Sequence, residues 1–405
     1  MSAGRTSALA PSGSPCSALA ILLDPVSGRP LVRESQHCLS DGSSRWPLID
    51  GVAYLRCGRD DLRRRCLAAL DAGDHHAALS LLLTDQDPFA PLPAPSTDTT
   101  GAVIDAVHGN RMSLREAMQA LNFGPVTDYF AHRTCTPTYL SGLALLAHGG
   151  RPRAVVELAC GIGQFLRQLE AHGVPALGVD LVFAKLWLAR HFVVQHAELV
   201  CADAVCPPLA SAQSLTVMCH DAYYFFTEKA EAAQHWMQLA GNDGHVLIGH
   251  AHNASVEHPV AGSPLTPAGY VALLPGCALH DDAELTASAL SRRRAPVRSV
   301  ENVSRAEAVS LVWPDAPRTW WPDILQAPAA TPLRLNPLLG ERDGRTVAHW
   351  PSPRFAVEYA SQAGYLDGPM PGPRVIQRAL DGVRNDAEIG ELARRRVLVD
   401  LPERW

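Results

Sequence analysis

Through the middle of the chain, short apolar runs end repeatedly in an acid or a histidine. Ala154-Val-Val-Glu157-Leu, Leu177-Gly178-Val179-Asp180, Glu198-Leu-Val-Cys-Ala202-Asp203-Ala204, Leu215-Thr-Val-Met-Cys219-His220-Asp221 and Gly244-His-Val-Leu-Ile-Gly249-His250 read as buried strands. Helical spacing lies around them. Leu62, Cys66, Leu67, Leu70, Ala77, Leu79 and Leu82 recur at helical intervals over 59–84, and the proline-rich polar stretch 87–100 reads as a linker and a boundary. Ser113 to Leu121 opens with a Ser-x-x-Glu capping box, Tyr139 to Ala147 forms a helix just before the first strand, and another helix lies near 375–396. The pattern predicts an α/β doubly wound sheet with helices covering its ligand edge.

The first strand runs straight into Ala159-Cys160-Gly161-Ile162-Gly163. Glycines there let the backbone turn tightly and let a ligand approach, with the free amides of the following helix facing it. Asp180, at the end of the next strand, stands where a doubly wound sheet grips ribose hydroxyls. The dinucleotide fingerprint needs a third glycine at position 166, and Leu166 occupies it, so a dehydrogenase is the weaker reading.

The segment resembles motif I of the S-adenosylmethionine-dependent methyltransferases, with Ala159 where the first glycine is usual. The later strands follow that family in order over roughly 130–254, including the turn Gly241-Asn-Asp-Gly244 before the fifth strand. The resemblance implies a Rossmann-like, seven-stranded methyltransferase sheet and S-adenosylmethionine as cofactor. It places Glu157 near the methionine end, Gly161 and Gly163 beneath it, Asp180 on the ribose and Asp203 on the adenine amino group. Ala159, Leu181, Ala204 and His220 complete the implied cofactor lining.

A second resemblance lies upstream. Leu23-Asp24-Pro25-Val26-Ser27-Gly28 and Arg45-Trp46-Pro47-Leu48-Ile49-Asp50-Gly51 are similar to the small zinc-ribbon family that includes the activator subunit of tRNA and protein methyltransferases. Asp24 and Ser27 stand where that family has knuckle cysteines, so a β-rich module over 16–58 without metal is expected. The organisation predicted is that module, helix and linker over 59–100, a methyltransferase domain over 101–315 with a lid at about 255–290, and a C-terminal extension over 316–405.

Composition narrows the partners. The chain has 405 residues, 47% of them hydrophobic, and a net charge of −6, giving a core-bearing protein without general attraction for phosphate backbones. Nucleic acid is therefore an unfavoured partner. No apolar run approaches the roughly 20 residues needed to cross a bilayer, and Ala18 to Leu23 is too short for a secretory core, so a cytoplasmic location is expected. The ten cysteines are scattered without a Cys-x-x-Cys pair, which gives neither a disulfide framework nor a cysteine-rich zinc site.

Candidate catalytic residues are His250, His252, Asp221 and Tyr223, which follow strands converging on the pocket. Alternation along the fifth strand puts the two histidines on one side, and a neutral histidine can accept a proton near pH 7. Tyr129, His132 and Arg133 are further candidates from the helical cover. Prolines between Pro259 and Pro267 read as the start of a lid, and 292–313 as the source of the last two strands. The fourth strand lacks an Asn-Pro-Pro-Tyr signature, which argues against base or glutamine amide methylation. Methyl transfer to a small-molecule oxygen, nitrogen or carbon nucleophile is the favoured function. A tRNA, rRNA or protein methyltransferase with a fused activator, and a noncatalytic cofactor-binding scaffold, stay open, as does the oligomeric state.

Overall fold

The computed structural model describes residues 20–87, 90–211, 214–257, 262–327, 331–383 and 386–405. The first residues of the expected N-terminal module (16–19) and the first proline of the expected lid, Pro259 (within 258–261), lie outside the described residues.

One sheet of eleven strands organises the chain. In chain order its strands are β1 (Val32–Ser35), β2 (Cys38–Ser40), β3 (Arg45–Ile49), β4 (Val52–Tyr54), β5 (Val155–Leu158), β6 (Ala176–Asp180), β7 (Glu198–Cys201), β8 (Thr216–His220), β9 (His245–His252), β10 (Ala278–Asp281) and β11 (Ala308–Trp313). In space they run β10-β11-β9-β8-β5-β6-β7-β4-β3-β2-β1. The strands β7, β6, β5, β8 and β9 are parallel, and β11 lies antiparallel between β9 and β10. The central strands are buried on both faces, which explains their unbroken apolar sequence. Chain order reverses between β5 and β8, so a crevice opens beyond their carboxyl ends.

The expected N-terminal module is not a separate body. Its last strand, β4, pairs in parallel with β7 from Val52↔Leu199 to Tyr54↔Cys201, and the meander β1–β4 continues the methyltransferase-type sheet outward. Asp24 gathers the amides of Val26 (2.8 Å) and Ser27 (2.7 Å) and the indole N–H of Trp46 (2.8 Å). The Ser27 hydroxyl donates to Asp41 at 2.8 Å. A carboxylate turn thus ties the loop to the meander at the two positions where the resembled family carries cysteines.

Five segments differ from the sequence reading. The 59–84 segment is two helices, Asp60–Asp71 and His75–Leu83, broken at Gly73, whose φ of +79° suits glycine. The linker ends early, because Ser96 caps helix Thr97–His108 by accepting from the Thr99 amide. The expected lid contains helix Pro267–Leu273, sheet strand β10 and helix Asp282–Ser291, so most of it belongs to the framework. Arg292 to Arg294 follow that helix and supply no strand, leaving β11 as the one strand within 292–313. The capping box at Ser113 and Glu116 forms as the sequence specifies and starts helix Leu114–Ala120. The expected C-terminal helix is two, Pro373–Leu380 and Ala387–Arg394.

A buried junction fastens the meander to the rest. Asp85, just beyond helix His75–Leu83, accepts from Tyr54 Oη (2.7 Å), Arg56 Nη1 (3.1 Å) and Arg59 Nε (2.9 Å), while Arg56 also donates to the Leu181 carbonyl at 3.1 Å. Arg56 and Asp85 are almost wholly buried. Removing one partner of such a pair strands the other without water or counter-charge, at about 3–5 kcal/mol. Asp85→Ala is expected to lower unfolding free energy by about 3 kcal/mol in denaturant titrations; a loss under about 1 kcal/mol would show the junction to be incidental.

Candidate active site

The site is assembled from the carboxyl ends of β5, β6, β8 and β9. Three non-glycine residues there adopt left-handed backbone: Ala159 (φ +54°), Asp221 (+57°) and His250 (+50°). Each such residue costs on the order of 1–3 kcal/mol and persists only where its surroundings hold it.

After β5 the chain turns through Gly161 (φ +57°) and Gly163 (+80°), and Gly163 starts helix Gln164–Ala171. Asp180 clamps this turn: one oxygen accepts the Gly161 amide at 2.9 Å, the other accepts the Val182 amide at 3.0 Å and lies 3.3 Å from Lys185 Nζ. Glu157 is buried, and its Oε2 has no partner among the described residues. Burial lifts its pKa to about 8, against the opposing pull of Arg133. Leu181 lends its carbonyl to Arg56. Asp203 is exposed, with one oxygen on the Val205 amide, while Ala204 is buried and its carbonyl holds the Trp236 indole.

His220 is buried, its Nε2 on the Thr138 carbonyl at 2.8 Å, and burial lowers its pKa to about 3. It is therefore neutral, packed between Phe165 and Gly249. Gly249 has to be glycine, since a Cβ there would fall 2.0 Å from His220 Nδ1.

Asp221 is the meeting point. Its Oδ2 accepts from Tyr129 Oη (2.8 Å) and Arg133 Nη1 (2.9 Å), and its Oδ1 from Tyr224 Oη (2.8 Å). The rings of His250 and His252 lie 4.9 Å apart, and Tyr224 stands edge-on to His252 at 4.5 Å. Plain alternation does not bring the histidines together; the β9–β11 pairing shifts register between Ile248 and Ala251, and this bulge turns His250 inward. The His250 amide donates to Ser310 Oγ at 3.0 Å, its Nδ1 lies 2.7 Å from Asp282 Oδ2, and Ser310 donates to Asp282 Oδ1 at 2.8 Å. Burial opposes charge on His250, but Asp282 outweighs it and holds the imidazole protonated beyond the usual histidine range.

Two sequence candidates sit elsewhere. Tyr223 points to the opposite face of the sheet, its hydroxyl on the Lys229 carbonyl at 2.6 Å and its ring against Trp236 and Tyr270, so Tyr224 takes the place expected of it. His132 packs between Phe355 and Trp405, away from Asp221. Asp282 and Ser310 have no local sequence signal. Asp282 reads as an ordinary acid in the first turn of a helix, and its role follows only from strand pairing.

The sequence profile of the methyltransferase domain family matches residues 156–248, from β5 to β9. The chain contains a methyltransferase domain over these residues. Similar solved structures include an S-adenosylmethionine-dependent methyltransferase from Mesorhizobium loti (17% identity, 44% of this chain and 96% of that one, TM-score 0.33). Another, from Thermotoga maritima, has 15% identity over 45% and 90% of the two chains, with TM-score 0.33. A third, a Haemonchus contortus phosphoethanolamine N-methyltransferase, has 12% identity over 49% and 59%, with TM-score 0.34. No curated protein matches the sequence.

The polar groups of the site fit S-adenosylmethionine as cofactor. The unpartnered oxygen of Glu157 suits the methionine ammonium, and the turn at Gly161 and Gly163 presents backbone rather than side chain. One group stands over the turn. A Cβ on Gly161 would lie 2.5 Å from the Phe130 ring, so Phe130 covers that face of the turn.

Burial raises Glu157 to about 8, so in the empty fold it is mostly protonated at neutral pH and would have to ionise to hold an ammonium group. Cofactor affinity should rise from pH 6 to 7.5 by up to about tenfold per unit. It should level where an α-amino group itself titrates, at about 7.7–8.0. Calorimetry in buffers of different ionisation heat reads the released proton; pH-independent affinity without proton release would remove Glu157 from this role. For the cofactor-free fold the sign reverses. The raised pKa means that stability is full below the ordinary value of 4.5 and is lost as pH rises toward 8, so Glu157→Gln should out-stabilise the native chain at pH 8 but not at pH 4.

Proposed function

We propose that this methyltransferase acts on a small-molecule acceptor with an oxygen, nitrogen or carbon nucleophile, held between the ends of β8 and β9. Enclosure is the observation that carries this reading. Asp221, Tyr224, His250 and His252 are all buried, beneath the helical segment that carries Tyr129 and Arg133. Tyr359 and Glu358, from helix Pro353–Tyr359, are electrostatically coupled to the same Asp221. A polymer laid across the strand ends would have to displace both covers, and the net charge of −6 gives a polyanion no general attraction.

The cofactor supplies a methyl group made electrophilic by a sulfonium. Glu157 would hold the methionine ammonium, Asp180 would take a ribose hydroxyl once released from Lys185, Asp203 would accept from the adenine amino group, and Phe130, which packs over Gly161, would wall the site against water. On the acceptor side the protonated His250–Asp282 pair cannot take a proton near neutrality, so it orients and polarises. His252 is the base, with Tyr224 fixing its ring.

A labelled methyl donor offered to separate small-molecule, RNA and protein fractions tests the acceptor class, and label confined to RNA or protein would overturn it. With the acceptor in hand, His252→Ala should lower kcat by about a hundredfold or more while cofactor Kd changes less than about twofold. Tyr223→Phe should leave kcat within about twofold. Unchanged turnover in His252→Ala across pH 6 to 9 would leave alignment alone as the catalytic device.

A further inference from the structure

Asp221, His250 and His252 each offer one ligand-type atom, and these atoms lie within 4.8 Å of one another. All three residues are buried, at 7%, 4% and 1% exposure, so this is not a surface cluster collected by chance. We propose that they form a binding site for a divalent first-row transition ion, represented by zinc. Two imidazoles and one carboxylate suit zinc or ferrous iron, whereas magnesium and calcium favour all-oxygen donors.

The surroundings are those a bound ion needs. Asp282 holds His250 Nδ1 at 2.7 Å and is itself held by Ser310, which fixes the ring and leaves Nε2 as the nitrogen for the cluster. A carboxylate behind a ligating imidazole is the usual orienting partner in metal sites. An ionised carboxylate has about four lone-pair directions, and on Asp221 three are taken by Tyr129, Arg133 and Tyr224. The fourth belongs to Oδ1. Charge also permits a cation, since the carboxyl groups of Asp221, Asp282 and Glu358 act on the cluster against the guanidinium of Arg133. The incoming ion displaces the Nε2 proton of His250 to solvent, and with the ion bound both imidazoles are ligands, so the ion lowers the acceptor's pKa in place of proton transfer to a free His252. Three protein ligands leave a position for a lone-pair atom of the acceptor, which narrows the acceptor class to hydroxyl, amine or thiol compounds. Metal binding itself is measured without acceptor or cofactor, so its failure and the failure of the methyl-transfer reading are separate results.

The experiment uses the full chain, stripped with a chelator and then titrated with zinc and, separately, cobalt. One equivalent of ion retained after gel filtration is expected, with the visible bands of low-coordinate cobalt. His252→Ala and Asp282→Asn should each weaken zinc at least tenfold, the latter within the 10–100-fold range of orienting partners. An exposed cluster, Asp50, His108 and His191, provides the control, and His108→Ala/His191→Ala should retain the ion in full. Circular dichroism checks each fold; should His252→Ala not fold, Asp282→Asn and the cobalt spectrum of the native chain carry the test. The site is refuted if the native chain holds no ion at micromolar free zinc, if the folded His252 and Asp282 variants hold it as tightly as the native chain, or if the control variant loses it.

Discussion

The buried pair between Arg133 and Asp221 is the interaction on which the site depends. Two charges have left water, and neither tolerates loss of the other. Asp221 is anchored to the sheet through its amide on the Gly249 carbonyl, while Arg133 belongs to the helical cover. The pair therefore sets the height of the cover above the strand ends. Tyr129 and Tyr224 finish satisfying the carboxylate, and Arg133 lies over the Tyr129 ring at 4.8 Å. The same guanidinium moderates the buried acid at Glu157, so one cation couples the cofactor side to the acceptor side.

The cofactor half was the more legible in sequence, because its chemistry is local: a strand, a turn and an acid within consecutive residues. Gly161 and Gly163 take the left-handed backbone cheaply because they lack a Cβ, while Ala159 takes it at a cost its surroundings hold. The acceptor half was read less well because it is built by pairing at a distance. Tyr223 and Tyr224 are adjacent and chemically alike, and only the 3₁₀ turn Tyr223–Phe225 decides which one faces the pocket. Asp282 reaches His250 through strand β10 and β11, a relation that no spacing along the chain encodes. His250 and His252 meet through a bulge rather than through the alternation that first linked them.

The same limit explains the N-terminal meander. Its turn residues announced a small β-rich unit, but they carried no mark of the edge it would join. The outer strand β7 would otherwise present unpaired backbone on that side, and β4 satisfies it.

The end of the chain reaches back to the cover. The Trp405 indole donates to the Ala131 carbonyl at 2.7 Å, the Leu114 amide donates to the Arg404 carbonyl at 2.7 Å, and Arg396 Nε donates to the Thr134 carbonyl at 2.7 Å. Arg167, on the helix that follows the glycine turn, pairs with Asp400. The cover and the segment 396–405 share these bonds, so neither can open locally without breaking contacts of the other, and the two belong to one cooperative unit.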